Sequence, residues 1–271
     1  MQAMQELERK AQHIRGRIIR MITQANSGHL AGSLSAADLL TVLFFDEMDL
    51  NEDNVTSIQR DRFILSKGHA SALLYAILCE KGLLKEEELN TFRKIDSRLQ
   101  GYPDCRKLAG VDMSTGSPGQ GLSIGVGMAI ANKLEYTPHR VYVLMGDGEC
   151  CEGQVYEAMM AAAKYHLDNL CVLIECNEDG QLNDTINPMS LEEKFRAFCW
   201  NVVHCDGHDD HAIQEAFAQA RLCETSPTVL LAHTIKGKGV SFMEHKAEWE
   251  EKALNPDQCA MALRELGECD E

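Results

Sequence analysis

The sequence predicts an α/β fold in which a mostly parallel sheet is covered by helices on both faces. Segments with an apolar period of about 3.6 residues, typical of helices, alternate along the chain with short apolar runs that are typical of buried strands. The 271 residues are 45% hydrophobic, enough for one sizeable core. No linker rich in Pro, Gly or Ser divides them, so we expect a single domain over residues 1–271 with a C-terminal helical tail.

The first part of the chain is predicted to be mostly helical. Glu86, Glu87 and Glu88 place negative charge where the first turn of a helix favours it, and Gly82 ends the preceding helical pattern. The apolar residues that follow Arg62 predict the first strand. In chain order, we expect helices over 3–25 and 36–46, a strand over 62–66, and helices over 70–82 and 86–95.

In the second part, strands and helices alternate regularly. The predicted strands cover 141–145, 170–175, 201–205 and 228–232, and the predicted helices cover 121–134, 153–166, 191–198 and 211–223. Strands that are separated by helices pair in parallel through right-handed crossovers. Their carboxyl ends then lie along one edge of the sheet, where open α/β sheets bind ligands.

Two polar segments follow neighbouring strands at this edge. A Gly-Asp-Gly turn that contains Asp147 follows the apolar run 141–145, and Asn177 follows the run 170–174. Glycines allow backbone N–H groups to approach a phosphate, and carboxylate and amide oxygens are suitable Mg²⁺ ligands. The turn alone also fits an ordinary surface loop, but Asn177 behind a second strand favours a Mg²⁺-diphosphate site.

Three motifs upstream could converge on the same edge. His29 and His69 each lie beside a glycine at the end of a predicted element, which favours a functional role over a structural one. The third motif, Ser114 to Gly121, contains three glycines and leads into a helix. Exposed amides at a helix N-terminus suit an anion or a flat ring pressed against the backbone.

The amino-acid composition argues against some classes of binding partner and indicates a cellular compartment. The net charge of −16 argues against nucleic acid or an anionic membrane as the main partner. Eleven cysteines without a framework spacing indicate a reducing cytoplasm, and the absence of a long apolar run predicts no membrane span. Cys150 and Cys151 could form a zinc or redox pair, but their adjacent spacing favours simple packing.

A series of short motifs runs along the chain. They are Ser27-Gly28-His29, Arg60-Asp61-Arg62-Phe63, Ser66-Lys67-Gly68-His69, Ser114-Thr115-Gly116, Gly119-Gln120-Gly121, Gly146-Asp147-Gly148, Glu152-Gly153 and His233 to Gly239. Together these motifs resemble those of transketolases in order and spacing, over about residues 10–245. The similarity is closest to the amino-terminal section of split bacterial transketolases, in which the diphosphate-binding (PP) domain of the thiamine diphosphate fold is a separate polypeptide. The resemblance implies transfer of a two-carbon ketol unit from a ketose to an aldose.

The resemblance also implies ligands for thiamine diphosphate and for Mg²⁺, which Ca²⁺ or Mn²⁺ could replace. Asp147 and Asn177 would bind the metal through their side chains, and Asp179 would add a backbone carbonyl. His69 and the backbone of Gly148 would contact the diphosphate.

Other matched residues would meet the cofactor rings, the partner and the sugar. Gly116, Ser117 and Pro118 would lie against the aminopyrimidine and thiazolium rings, although relatives usually have leucine at the position of Pro118. Glu152 would lie near a subunit interface, with a solvated glutamate at a helix start as the alternative. His29 would face the sugar substrate.

The sequence departs from the family pattern at two channel histidines. Tyr102 replaces one of them and keeps a hydroxyl group, so we expect it to contact the sugar together with His29. Glu250 replaces the other, and its carboxylate would repel a phosphorylated sugar if it faced the site. For Lys236 and Lys238, a diphosphate contact and a plain surface turn remain alternatives.

The resemblance implies that the pyrimidine-binding domain, whose glutamate activates the cofactor in this family, is not part of this chain. We therefore expect a separate C-terminal subunit, an α2β2 assembly, and little activity of this chain alone. Two alternatives remain: a subunit of another thiamine diphosphate enzyme, of the 2-oxo acid decarboxylase or dehydrogenase or deoxyxylulose phosphate synthase type, or a degenerate scaffold without turnover. Ser-Lys-Gly-His and Gly-Gln-Gly favour transketolase, and the intact Asp147, Asn177 and His69 argue against a scaffold.

Overall fold

Within residues 2–177 and 190–268, which the computed structural model describes, five parallel strands form one sheet. Their order across the sheet is β1-β2-β3-β5-β4. The predicted α/β fold is therefore confirmed, and all strands end at the same edge. The strands are β1 Arg62–Leu65, β2 Val141–Gly146, β3 Leu170–Asn177, β4 Asn201–Asp206 and β5 Thr228–Thr234.

Helices cover both faces of this sheet, and most of their bounds agree with the predicted ones to within a few residues. Every helix in the described ranges is too short or too polar to cross a bilayer. The last of these helices lies near the end of the described residues. The helices are α1 Gln2–Ala25, α2 Ala31–Leu34, α3 Ala37–Val42, α4 Ser71–Glu80, α5 Glu86–Leu89, α6 Gln120–Leu134, α7 Gly153–Lys164, α8 Leu191–Ala197, α9 Asp210–Leu222 and α10 Pro256–Glu265.

The helix predicted over 86–95 is wrong in length, because α5 ends at Leu89. Arg93 and Asp96 have φ angles of 60° and 65°, a left-handed conformation through which a right-handed helix cannot continue. The N–H of Arg93 donates to the carbonyl of Leu99 at 2.8 Å instead of to a helical carbonyl. This turn brings the Arg93 guanidinium to Ser27, with 2.5 Å between Nη1 and Oγ.

Alternate side chains of each strand pack into two separate cores. In β2, Tyr142 and Leu144 belong to the core formed with α1, α3, α4 and α9. Val143 and Met145 belong to the other core, formed with α6, α7 and α8. Both faces of a strand are therefore buried, which explains why the strands read as continuous apolar runs in the sequence.

Two glycines of α6 differ in their surroundings and give a matched test of packing. A Cβ at Gly121 would lie 2.5 Å from the Cβ of Ser66, whereas a Cβ at Gly127 would meet nothing within 4 Å. We expect Gly121→Ala to lower the free energy of unfolding by about 1–3 kcal/mol, because α6 must move away from the end of β1. Gly127→Ala should raise it by about 0.5–1 kcal/mol through better helix propensity. Urea unfolding followed by circular dichroism measures both free energies of unfolding. If the two substitutions changed them equally, the close approach of Gly121 to Ser66 would be contradicted.

Candidate functional site

Asp147 and Asn177 meet at the carboxyl ends of the neighbouring strands β2 and β3. The N–H of Gly148 donates to Oδ1 of Asp147 at 2.7 Å, and the backbone of Asn177 also hydrogen-bonds this carboxylate. Burial raises the pKa of Asp147, although these hydrogen bonds and the nearby Lys236 and Lys67 oppose the rise. The charged carboxylate thus carries a desolvation cost that a bound cation would offset.

A buried network fixes the Asn177 side chain. Its Oδ1 accepts a hydrogen bond from the hydroxyl of Thr234 at 3.1 Å, and the same hydroxyl lies 3.4 Å from Oε1 of Glu175. Glu175 is completely buried and forms an ion pair with Lys67, whose Nζ also donates to the carbonyl of Gly32 at 2.9 Å. Sequence reasoning missed this network. The available signal was Glu175, a charged residue directly after the apolar run 170–174.

Glu149 joins three of the motifs through one carboxylate, and sequence reasoning gave it no role. Its side chain is buried, with 8% of the residue exposed. Oε1 accepts hydrogen bonds from the hydroxyl of Ser66 at 2.7 Å and the N–H of Gly119 at 2.8 Å, and Oε2 accepts from the N–H of Gly146 at 3.0 Å. The end of β1, the glycine loop before α6 and the Gly-Asp-Gly turn are therefore held together at one point.

The structure brings together the two histidines that the sequence singled out. The ring centroids of His29 and His69 lie 4.9 Å apart in an edge-to-face arrangement. Burial lowers the pKa of both imidazoles, and for His69 burial, Lys67, His29 and Lys236 together lower the pKa to about 3. Both rings are consequently neutral at neutral pH, so each has one nitrogen that donates and one that accepts a hydrogen bond.

Glu250 faces these histidines, a direction that the sequence left open. Its Oε1 lies 4.0 Å from Nε2 of His69, and its Oε2 lies 3.7 Å from Nζ of Lys236. Lys238 instead lines a separate cavity of about 830 Å³ together with Arg15 and Asp38. Of the two lysines considered for the diphosphate, Lys236 therefore lies at the candidate site.

Several predicted site residues lie at the surface around this centre. The ring of Tyr102 covers Gly116, where an added Cβ would lie 3.3 Å from Cδ1 of the tyrosine. The amide of Gln154 donates to the carbonyl of Pro118 at 2.6 Å and ties the glycine loop to α7. Asp179, predicted to supply a backbone ligand, lies outside the described residues. The exposed positions are Tyr102, Gly116, Ser117, Pro118 and Glu152.

Comparison with known proteins supports a common origin for this arrangement. Residues 7–270 match the family model described as "Transketolase, thiamine diphosphate binding domain". Over 265 residues the chain is 38% identical to one named subunit of the apulose-4-phosphate transketolase of Phocaeicola vulgatus, covering 97% of this chain and 94% of that relative. It is 39% identical to the 6-deoxy-6-sulfo-D-fructose transketolase subunit SqwG of a Clostridium species, covering 96% of each chain.

The fold also matches solved structures of longer proteins. The transketolase of Campylobacter jejuni superposes with a TM-score of 0.91 and 33% identity. The match covers 98% of this chain but only 43% of the Campylobacter chain. The chain thus spans nearly all of the two bacterial subunits and less than half of this solved transketolase.

Proposed function

Because the chain belongs to the transketolase family, as its thiamine diphosphate-binding domain, we propose that it is the N-terminal subunit of a split transketolase. The enzyme transfers a two-carbon ketol unit from a ketose to an aldose, and a separate pyrimidine-binding C-terminal subunit completes it. The proposal rests on the match to two relatives that are named as transketolase subunits. The chain is 38% and 39% identical to them and covers at least 94% of their length.

The residues present fit thiamine diphosphate with Mg²⁺, or with Ca²⁺ or Mn²⁺ in its place. Asp147 and Asn177 offer the oxygen donors that Mg²⁺ prefers, and the burial cost on Asp147 favours a cation there. A Cβ at Gly146 or Gly148 would meet nothing within 4 Å, so this side of the turn is open to a diphosphate. Asp179 is proposed as the backbone ligand. When bound, the cofactor supplies a thiazolium that stabilises negative charge at the carbonyl carbon of the ketose.

The surrounding residues position the cofactor and the sugar. His69 and the backbone of Gly148 contact the diphosphate, and Gly116, Ser117 and Pro118 support the rings of the cofactor. The neutral imidazole of His29 can exchange hydrogen bonds with sugar hydroxyls, and Tyr102 offers a phenolic hydroxyl at the exposed side. Glu152 faces outward at the start of α7, as expected for a residue near the partner subunit.

The proposed assembly is an α2β2 heterotetramer in the cytoplasm that acts on sugars or sugar phosphates, with neither nucleic acid nor membrane as a partner. The ten cysteines among the described residues are all free, which agrees with a reducing compartment. Burial raises the pKa of the Cys150 thiol, so this cysteine suits packing better than redox chemistry. The net charge of −16 disfavours polyanionic partners.

Reconstitution tests this proposal. We expect calorimetry to show tight, metal-dependent binding of thiamine diphosphate only when the chain is mixed with the pyrimidine-binding subunit encoded by a neighbouring gene. Ketol transfer should appear in the mixture and disappear when a chelator removes the metal. Appreciable ketol transfer by the chain alone would contradict the split enzyme, and no cofactor binding in the mixture would contradict the cofactor site.

A further inference from the structure

Glu250 is held in a fixed position at the candidate site. Its backbone carbonyl accepts a hydrogen bond from the N–H of Leu30 at 3.1 Å. The preceding Trp249 is buried and donates its indole N–H to the carbonyl of Phe242 at 3.1 Å. A Cβ at Gly32 would come within 2.8 Å of Oε1 of Glu250, so glycine at this position makes room for the carboxylate. The side chain is therefore directed into the site by its surroundings.

The carboxylate of Glu250 lies near His69, which is proposed to contact the diphosphate, and near Lys236, which was considered for the same contact. Its oxygens are 4.0 Å from Nε2 of His69 and 3.7 Å from Nζ of Lys236. Lys236 also acts electrostatically on Asp147, the proposed metal ligand, so both carboxylates are within electrostatic range of this lysine. Oε2 of Glu250 is buried and has no hydrogen-bond partner within the described ranges. A buried acceptor without a hydrogen bond is costly, and the 3.7 Å contact with Lys236 offsets that cost only in part.

We propose that Glu250 sets the affinity of this site for diphosphate by competing with it for Lys236. A carboxylate only accepts hydrogen bonds, so it cannot bind a diphosphate and repels it by like charge. A diphosphate bound beside the proposed metal ligand Asp147 must therefore share Lys236 with Glu250 or displace the Glu250 carboxylate. The chain alone then binds the cofactor weakly, and contacts from the partner subunit supply the missing affinity. This inference rests on the proposed function.

Calorimetric titration with inorganic diphosphate and Mg²⁺ tests the inference apart from the sugar and from catalysis. We expect Glu250→Gln to lower the Kd about tenfold, because one negative charge is removed near the anion and Lys236 is released. The matched control is Glu248→Gln, which removes the same charge from an exposed residue two positions earlier. It should change the Kd by less than about twofold, since exposed charges are screened by water and salt. The gain of Glu250→Gln should shrink as ionic strength rises.

A double-mutant cycle identifies the competition itself. In a Lys236→Met background, we expect Glu250→Gln to improve the Kd by less than about threefold, because most of the effect passes through Lys236. Glu250→Asp, whose shorter side chain withdraws the carboxylate, provides a second variant and should lie between wild type and Glu250→Gln. Circular dichroism confirms that each variant is folded.

The possible outcomes separate the inference from the function on which it rests. An unchanged or higher Kd for folded Glu250→Gln overturns the inference. The inference is also overturned if Glu250→Gln lowers the Kd by the same factor in the Lys236→Met background. If neither wild type nor Glu250→Gln binds diphosphate with Mg²⁺, alone or with the partner subunit, the proposed cofactor site is wrong.

Discussion

Replacing Asp147 by Asn is expected to abolish metal-dependent binding of thiamine diphosphate by the assembly, with a loss of affinity of more than about 100-fold. Its carboxylate is the anionic ligand of the proposed metal site, and Asn177 offers only a neutral amide oxygen. Without the anionic ligand, Mg²⁺ is held less tightly and cannot neutralise the diphosphate. Calorimetry with and without Mg²⁺ measures the effect, and an intact assembly with full metal-dependent affinity would refute the metal assignment.

A measurement of thermal stability shows whether Asp147→Asn loses cofactor affinity because the ligand is gone or because the chain misfolds. The pKa of Asp147 is raised in the folded chain by burial, so above its unfolded pKa of about 4 the ionised carboxylate opposes folding. The amide of Asp147→Asn carries no such cost, and we expect its Tm at pH 7 to equal or exceed that of wild type. Asp53→Asn, at an exposed carboxylate in the loop before β1, is the matched control and should leave both cofactor affinity and Tm unchanged.

The sequence could predict those features that depend on local patterns. The alternation of apolar runs and helical periods is local, and it placed all five described strands to within two residues at their ends. Asp147 and Asn177 could be paired because both follow parallel strands, whose carboxyl ends meet at one edge. The wrong length predicted for α5 has a local cause as well. Nothing in the charged pattern of 86–95 shows that Arg93 adopts a left-handed φ of 60°.

Long-range contacts could not be predicted in the same way. Lys67 and Glu175 are 108 residues apart, and their pairing depends on the strand order that places β1, β2 and β3 side by side. The direction of Glu250 and the separation of Lys236 from Lys238 depend on how the segment after β5 packs against α2. No single-sequence periodicity reports such packing, and the known family pattern has a different residue at Glu250.

Glu149 lies in a turn that the sequence singled out, but its hydrogen bonds to Ser66 and Gly119 join distant parts of the chain. We expect Glu149→Gln to weaken cofactor binding by about 10–100-fold and to lower the free energy of unfolding by about 1–3 kcal/mol. The carboxylate accepts hydrogen bonds from Ser66, Gly119 and Gly146, but an amide has only one accepting atom. At least one buried donor must then face the amide nitrogen, and the three segments proposed to bind the cofactor lose their common contact.

A graded series shows whether Glu149 positions the site or only stabilises the fold. Ser66→Ala removes one of the three hydrogen bonds without adding an opposing donor, so we expect a smaller loss of both affinity and stability. Glu135→Gln, at an exposed carboxylate after α6, should change neither. Calorimetry with thiamine diphosphate and Mg²⁺ is performed at a temperature where circular dichroism shows every variant to be folded. If folded Glu149→Gln retained wild-type affinity, the carboxylate would be a structural group that the cofactor site does not need. A loss of affinity that decreases in the order Glu149→Gln, Ser66→Ala, Glu135→Gln would instead show that one buried side chain aligns the end of β1, the glycine loop before α6 and the Gly-Asp-Gly turn.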